Sequence, residues 1–377
     1  MRIAYIASPK LFSRGASSIE VMRTAEAMAE LGYDVELIVP YNGKEDEIYE
    51  YYGINRVFKL KFIPSAPGVS MRHILHGLQS AFYTASKRGR FDIAFSRNIF
   101  YAFLSTRFLK IPTIYDAHHP IANTAARIIF DFFKESKFLL KFVVISKGIG
   151  DICLKFGLPE GKLAVVPNGV DIERFNQKLS PKEARSRVGL PQERKIISHI
   201  GNIYPGRGIE LLIEAAQEFK DLLFLMVGGE DRDIERYKKL AKKTGVDNVI
   251  FTGFIPPSII SLYFFSTDFL ILPYTLKMTS KFRRIETDFA SLLKLPEYMA
   301  SGRPIISTRI PAVSEFLRDE ENAIIIDPDS TLAIIGGIKR ALSNKILCEK
   351  IAKQAAIDAK KYTLEERAKR ILDDVQI

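Results

Sequence analysis

The chain has 377 residues, 47% of them hydrophobic and 26% charged, enough for two domains with cores of their own and the composition of an ordinary globular protein. Its two cysteines, Cys153 and Cys348, lack CxxC or CxxH spacing, which excludes a disulfide framework and a cysteine zinc site. The net charge is +11, and residues 51–147, with fifteen Lys and Arg against four acids, account for all of that excess.

This basic region includes an acid-free run from Tyr51 to Phe91. It reads either as a solvated face or as a surface for an anionic partner. Interleaved Phe62, Ile63, Phe82, Tyr83 and Phe91 favour a membrane over a nucleic acid. No apolar run is long enough to span a bilayer, and the alternating opening MRIAYIASPK does not have the pattern of a signal peptide. The expectation is a cytoplasmic protein, peripheral on the inner face of the cell membrane if the basic run meets lipid.

In chain order, RIAYIAS predicts a strand. Ser17 with Glu20 predicts a capping box opening a helix with apolar positions Val21, Ala25, Met28 and Leu31, ending at Gly32. DVELIVP, FDIAFS, PTIYD and KFVVIS read as further strands. LAVVPNGVDIERF carries a strand and an Asn168-Gly169 turn, and a domain boundary is expected there. The first domain is residues 1–166 and the second 167–359. The second series runs KIISHIG, a helix from Ile209 to Phe219, LLFLMVGGE, a charged helix from Ile234, NVIFTGF, a helix from Ser258, DFLILPY, a helix over 291–300, PIIST and AIIID. Thr363 with Glu366 opens a last helix, so that 360–377 packs back on the first domain.

The fold class is therefore α/β, with two doubly wound Rossmann-like domains. Their ligand crevices lie at the carboxyl ends of the strands and are expected to face each other across a cleft. A nicotinamide cofactor does not fit, because SPKLFSRGASS after the first strand has only Gly15 in place of G-x-G-x-x-G. A Walker A sequence is absent too.

VISKGIGDIC (144–153), VVPNGVDIERF (165–175), the GGE turn after LLFLMV, the V-x-F-x-G-F segment ending at Phe254, and KLPEYMASGRPIIST follow one another in this order. Together they resemble the retaining family four glycosyltransferases of the GT-B architecture, over nearly all of the second half and more thinly over the first. The resemblance implies transfer of a sugar, with retention, from a nucleotide diphosphate sugar such as a UDP or GDP sugar to an acceptor hydroxyl. The donor would be held by the second domain, with neither cofactor nor metal. The acceptor would be a cell-envelope glycan or, given the basic run, a lipid-linked one.

By that resemblance Glu297 clamps the donor ribose, since a carboxylate can accept charge-assisted hydrogen bonds from a vicinal diol; the alternative is an ordinary helix-dipole glutamate. The amides around Ser291, Leu292 and Leu293 suit the diphosphate. Arg207, preceding Gly208, supplies fixed positive charge for the leaving group, unless it is only a surface arginine. Lys294 adds a second charge. Asn202 and Gly229 complete the phosphate side, Phe254 and Ile255 face the base through their backbone, and Gly15 allows close approach of phosphate or acceptor. His118 of YDAHHP, beside His119, is expected to face the donor sugar, against the alternative of a buried core histidine. Asp231-Arg232-Asp233 looks like a metal-binding DxD, but its place at the opening of a charged helix reads as capping.

Two departures stand out. Phe289 occupies the place, eight residues before Glu297, where many relatives carry a first glutamate. Asn202 stands where an arginine often follows the glycine, so that charge would come from Lys294, Lys281, Arg283 or Arg284. Two other classes remain open at this level. A non-catalytic sugar-nucleotide or glycan-binding protein is allowed by Phe289, and a sugar-nucleotide epimerase would need a fuller set of acid and base groups.

Overall fold

A computed structural model describes residues 1–12, 16–41, 43–64, 68–121, 123–177, 179–279, 284–286 and 294–375. The chain divides into two units, Met1–Gly169 with Leu364–Ile377, and Val170–Thr363.

In the first unit, strands β1 (Arg2–Ile6), β2 (Asp34–Pro40), β3 (Lys59–Ile63), β4 (Ile93–Ser96), β5 (Thr113–Ala117), β6 (Leu139–Val144) and β7 (Leu163–Val165) form one sheet. Its order is β3-β2-β1-β4-β5-β6-β7, and every pair is parallel. Helices α1 (Ala16–Glu30), α2 (Asp46–Tyr52), α3 (Val69–Ser86), α4 (Ile99–Leu104), α5 (Thr124–Phe133) and α6 (Lys147–Lys155) connect the strands. Helices on the faces of a parallel sheet bury its strands on both sides, which is why β2 is apolar from Val35 to Val39 except for Glu36, a buried carboxylate paired with Arg90 and Tyr83. Val21, Ala25 and Met28 of α1 pack into the core beside Ile3, Tyr5 and Leu37.

The capping box expected at Ser17 is not formed. α1 begins at Ala16, and Glu20 turns inward, its carboxylate 3.5 Å from Arg97 and 3.4 Å from His118. Two buried cationic or protonatable groups outbid a backbone amide for a carboxylate removed from water.

The second unit holds β8 (Lys195–Ile200), β9 (Leu222–Val227), β10 (Val249–Gly253), β11 (Phe269–Leu272), an antiparallel hairpin of β12 (Lys277–Thr279) and β13 (Arg284–Glu286), then β14 (Ile305–Thr308) and β15 (Ile324–Ile326). The main sheet has the order β10-β9-β8-β11-β14-β15, again all parallel. Its helices are α7 (Pro181–Val188), α8 (Ile209–Ala216), α9 (Asp231–Lys243), α10 (Ile260–Ser266), α11 (Leu295–Ala300), α12 (Pro311–Ser314), α13 (Thr331–Ser343) and α14 (Lys345–Ala359). Several bounds differ from the sequence expectation. α8 stops at Ala216 rather than Phe219, α10 starts at Ile260 rather than Ser258, and α9 starts three residues before Ile234, with Asp231 and Asp233 in its first turn, where acids complement the helix dipole. α11 is shorter than 291–300, and residues 291–293 lie outside the described ones.

In each sheet the strand order reverses beside the first strand of the series, between β1 and β4 and between β8 and β11. Such switch points are where open α/β sheets admit ligands.

The last helix, α15 (Leu364–Leu372), belongs to the first unit, while residues 360–363 belong to the second. Ala368, Ile371 and Leu372 join the core around α1. Arg367 Nη2 lies 3.0 Å from both oxygens of the buried Asp116. Burial alone would raise the Asp116 carboxyl, but Arg367, with His118 and Arg97, holds it well below the usual carboxylate range. A carboxyl depressed on folding contributes stability above its unfolded value of about 3.9, and loses it as pH falls below that value. Replacing Arg367 by Ala removes the strongest of the partners of a buried charge and should cost up to about 3 to 5 kcal/mol at neutral pH, read from urea denaturation. An unchanged midpoint would show that this pair does not anchor α15.

Candidate active site

In the second unit, three neighbouring strands run into glycines, Gly201 after β8, Gly228 and Gly229 after β9, and Gly253 at the end of β10. The Gly201 amide donates to Val227 O at 2.8 Å, and the Gly228 amide to Gly253 O at 2.9 Å. Gly228 has φ +109°, and a Cβ there would sit 2.3 Å from Gly201 O. Only glycine lets these strand ends close up so far. A second close approach occurs at Gly208, φ +72°, where a Cβ would lie 1.8 Å from Pro273 O. The loop before α8 is thereby pressed onto the end of β11, and Thr275 Oγ1 fastens it by donating to Gly206 O at 2.8 Å.

That loop delivers Arg207. Its guanidinium carbon lies 4.8 Å from the ring centres of both Tyr204 and Tyr274, in cation–π range, and Nη2 donates to the Tyr204 hydroxyl. Nε is buried and has no hydrogen-bond partner among the described residues. The result is a cation held in place between two rings.

Next to it is His199, the penultimate residue of β8, which sequence reading did not single out. Its Nδ1 is 3.2 Å from Ile271 O of β11, and its Nε2 3.4 Å from Asn202 O. The ring therefore bridges the switch point, edge-on to Tyr274 with centroids 6.2 Å apart. Burial pulls its pKa down to about 4. The Asn202 side chain itself is exposed.

α11 completes the group. Leu295, Tyr298 and Met299 point into the core, which leaves Lys294, at the N-cap, and Glu297 on the open side. Lys294 Nζ and Glu297 Oε2 are 2.7 Å apart. The Tyr298 hydroxyl accepts from Ile200 N at 2.7 Å and stands 3.2 Å from Ile200 O, pinning the helix to the end of β8. Lys294 Cγ consequently comes within 4.0 Å of where a Cβ on Gly201 would be. Three sequence-predicted residues, Arg207, Lys294 and Glu297, thus gather around one strand end. Glu297 is already engaged by Lys294.

Of the others, Gly229 follows Gly228 and approaches Ile203, where a Cβ would lie 2.3 Å from Cγ1. Phe254 and Ile255 follow Gly253 and are half-buried, Ile255 against the core. Gly15, Ser291, Leu292, Leu293, Phe289, Lys281 and Arg283 lie outside the described residues. Asp231 and Asp233 open α9, and among the described residues no three His, Cys, Asp or Glu side chains group as metal ligands.

His118 lies in the first unit, and both its ring nitrogens meet carboxylates, Nε2 with Asp116 at 2.8 Å and Nδ1 with Glu20 at 3.4 Å. Near it, at the β1/β4 switch point, is a second set that sequence reading missed. Asn98 Nδ2 donates to Ser8 Oγ and to His73 O, both at 2.8 Å, and Ser8 Oγ is 2.9 Å from His76 Nδ1. Burial brings His76 down to about 3. The spacing of His73 and His76 on one helix was the available signal.

A structure of Anabaena HepE in complex with UDP and glucose superposes with a TM-score of 0.77 at 14% identity, covering 99% of this chain and 98% of that one. Residues 19–174 match the model for glycosyltransferase family 4, and residues 181–358 that for glycosyl transferases group 1. The chain belongs to the family 4 glycosyltransferases of the GT-B architecture. Among curated glycosyltransferases, an uncharacterised one of Methanocaldococcus jannaschii is 26% identical over 245 residues, 62% of this chain and 59% of that protein. The lipopolysaccharide 1,2-N-acetylglucosaminetransferase of Salmonella typhimurium is 26% identical over 233 residues, 58% of each. The match therefore spans little more than half of these glycosyltransferases.

His199 makes the site acid-sensitive. An unfolded histidine protonates near 6.5 and the folded one only near 4, so the protein loses stability as pH falls from about 6.5 to about 4, by roughly 1.4 kcal/mol per unit. Replacing His199 by Gln should flatten this dependence in urea titrations at pH 7, 5.5 and 4.5. Equal slopes for both proteins would place the acid sensitivity elsewhere.

Proposed function

We propose that this chain transfers a sugar from a nucleotide diphosphate sugar to an acceptor hydroxyl, with retention at the anomeric carbon. The observation carrying this reading is the gathering of Arg207, Lys294 and Glu297 at the β8/β11 switch point of a family 4 chain. In the reading, Glu297 accepts the ribose hydroxyls, and the 2.7 Å contact with Lys294 orients its carboxylate. Arg207, held against the rings of Tyr204 and Tyr274, and Lys294 stabilise the charge that grows on the departing diphosphate. Ser291, Leu292, Leu293, Asn202 and Gly229 are proposed for the phosphates, Gly15 for phosphate or acceptor, and Phe254 and Ile255 for the base.

The acceptor oxygen bonds to the anomeric carbon on the face from which the phosphate oxygen leaves, and that oxygen takes the acceptor's proton. Fixed cations supply the neutralising charge in this scheme, so it needs no metal and no cofactor. His118, already held between Asp116 and Glu20, acts as an oriented group of the first unit.

Glu297→Gln should weaken UDP binding, measured by calorimetry in excess EDTA, by about 1 to 3 kcal/mol, with an unchanged circular dichroism spectrum. Full-strength binding by the variant would take Glu297 out of the site, and binding lost in EDTA would end the metal-free scheme. Phe289 favours a second reading, a sugar-nucleotide-binding protein without turnover; donor binding with no transfer or donor hydrolysis would support it.

For location and acceptor, the proposal is a cytoplasmic enzyme peripheral on an anionic membrane, acting on a lipid-linked or envelope glycan. α3 supports it. Met71, Leu75, Leu78 and Phe82 recur at helical spacing and are all exposed, Phe82 by 80%. Lys87 and Arg88 follow the helix without ion pairs among the described residues. No helix of the described residues is long and apolar enough to cross a membrane. Phosphatidylglycerol vesicles should co-sediment the protein at low salt and release it at high salt, and Leu78→Ser with Phe82→Ser should weaken binding several-fold. Absence of binding at low salt would make a soluble acceptor the better reading.

A further inference from the structure

The first unit has a pocket of about 390 Å³ that the transferase reading does not use. It lies around the amino-terminal approaches to β4 and β5, whereas Ser8, Asn98 and His118 follow the carboxyl ends of β1, β4 and β5. Its walls are the end of α3, the turn at Lys87–Gly89, and the segment from Phe108 to Pro112, with Ala4 and Tyr101 behind.

The second wall has a local cause. Ser105–Leu109 is a π-helical turn, in which Ser105 O accepts from the Lys110 amide five residues on and from Ile111 N at 2.9 Å. The widened turn ends with Lys110 left-handed at φ +57°. Phe108 is left 65% exposed at the pocket, where it meets Phe103 edge-on with centroids 5.4 Å apart. Wide turns of this kind are rare and are found at functional sites more often than elsewhere.

The chemistry of the lining is divided. Its inner polar groups are already satisfied. Tyr101 donates to Thr84 Oγ1 at 3.1 Å, and Thr84 donates on to Ser80 O at 3.0 Å. What remains to be covered inside is apolar, Phe91, Leu109, Ile111 and Pro112 among it. The charged lining residues are Lys87, Arg88 and Lys110, all exposed, with no acid among them and no ion pair among the described residues. A volume of this size is at the lower end of the range of small-molecule pockets, about 300 to 1,000 Å³.

We propose that this pocket binds an anionic amphiphile, one hydrocarbon chain against the apolar wall with its phosphate or carboxylate head among Lys87, Arg88 and Lys110. The pocket belongs to the first unit and not to the β8/β11 grouping; it shares Lys87 and Arg88 with the proposed membrane face, and differs from bilayer docking in that its ligand is bound as a single molecule.

The full chain would be titrated by calorimetry with lauroyl-lysophosphatidylglycerol below its critical micelle concentration, so that no bilayer takes part. Lauroyl-lysophosphatidylcholine and inorganic phosphate serve as the zwitterionic and chainless probes. One-to-one binding is expected, at least tenfold tighter for the anionic lipid than for either control. The exposed triple change Lys87→Glu, Arg88→Glu and Lys110→Glu should lower affinity at least tenfold, and Ala85→Trp, which fills the pocket without altering charge, should do the same with UDP binding intact. Equal affinity for the two lipids, phosphate competing as well as the lipid, or unchanged binding by Ala85→Trp would each overturn the assignment. Failure of vesicle binding alone would leave this titration unaffected.

Discussion

The second unit is organised around a gap in its own hydrogen-bond ladder. β8 and β11 pair only through Ile197 and Ser198, because the sheet begins to part at its switch point. Beyond that register Ile200 N, Ile200 O and Ile271 O would face no strand, and buried backbone groups cannot be left without partners at such a place without cost. Two side chains take over. The Tyr298 hydroxyl serves both polar groups of Ile200, and His199 Nδ1 reaches Ile271 O. The site is built on this substitution: α11 is fixed where Tyr298 requires it, Lys294 and Glu297 come with it, and His199 stands edge-on to Tyr274, one of the two rings that hold Arg207.

The first unit meets the same topological problem with different chemistry. There β1 and β4 pair from Ile3 to Ile6, Arg97 N continues to Ile6 O at 2.9 Å, and the Ser8–Asn98 hydrogen bond closes the end. Around it Arg97, Arg367, Asp116, Glu20 and His118 face one another within ion-pair distance. Charges so deeply placed persist only when paired, and here they compensate among themselves. The second unit instead holds Arg207 against the rings of Tyr204 and Tyr274, with no carboxylate paired to it among the described residues. Of the two switch points, the second is therefore the one with positive charge to offer an anionic ligand.

The sequence made legible what contiguous patterns encode. Both main sheets were readable from short β-branched runs except for β3, whose Lys59 and Lys61 read only as part of the basic run, and Arg207, Lys294 and Glu297 were singled out from motifs whose residues are neighbours in the chain. His199 was not, because in KIISHIG it looks like any strand residue and acquires its role from Ile271 across the switch point. Tyr298 was missed for the same reason, its partner being 98 residues away. Glu20 was misread as a helix cap because nothing local announces Arg97 and His118 as its partners.

Strand pairing also redistributes charge that the linear sequence shows as one basic block. Lys59 on β3 lies against Asp34 at the start of β2, Arg90 reaches Glu36 on the same strand, and Arg56 pairs with Asp46. The exposed pairs Lys59–Asp34 and Arg56–Asp46 add little stability, about 0 to 1 kcal/mol each, but all three pairs cancel the field of the residues involved. Lys87, Arg88 and Lys110 are among the basic residues without an ion pair among the described residues, and all three lie at turns next to the amino-terminal ends of β4 and β5. Screening limits exposed charges to about 8 Å at physiological salt, so these three act on what touches that edge and contribute little at the carboxyl ends of the strands. Part of the block of charge in the sequence is thus cancelled by neighbouring strands, and three of its remaining cations are brought together at one sheet edge.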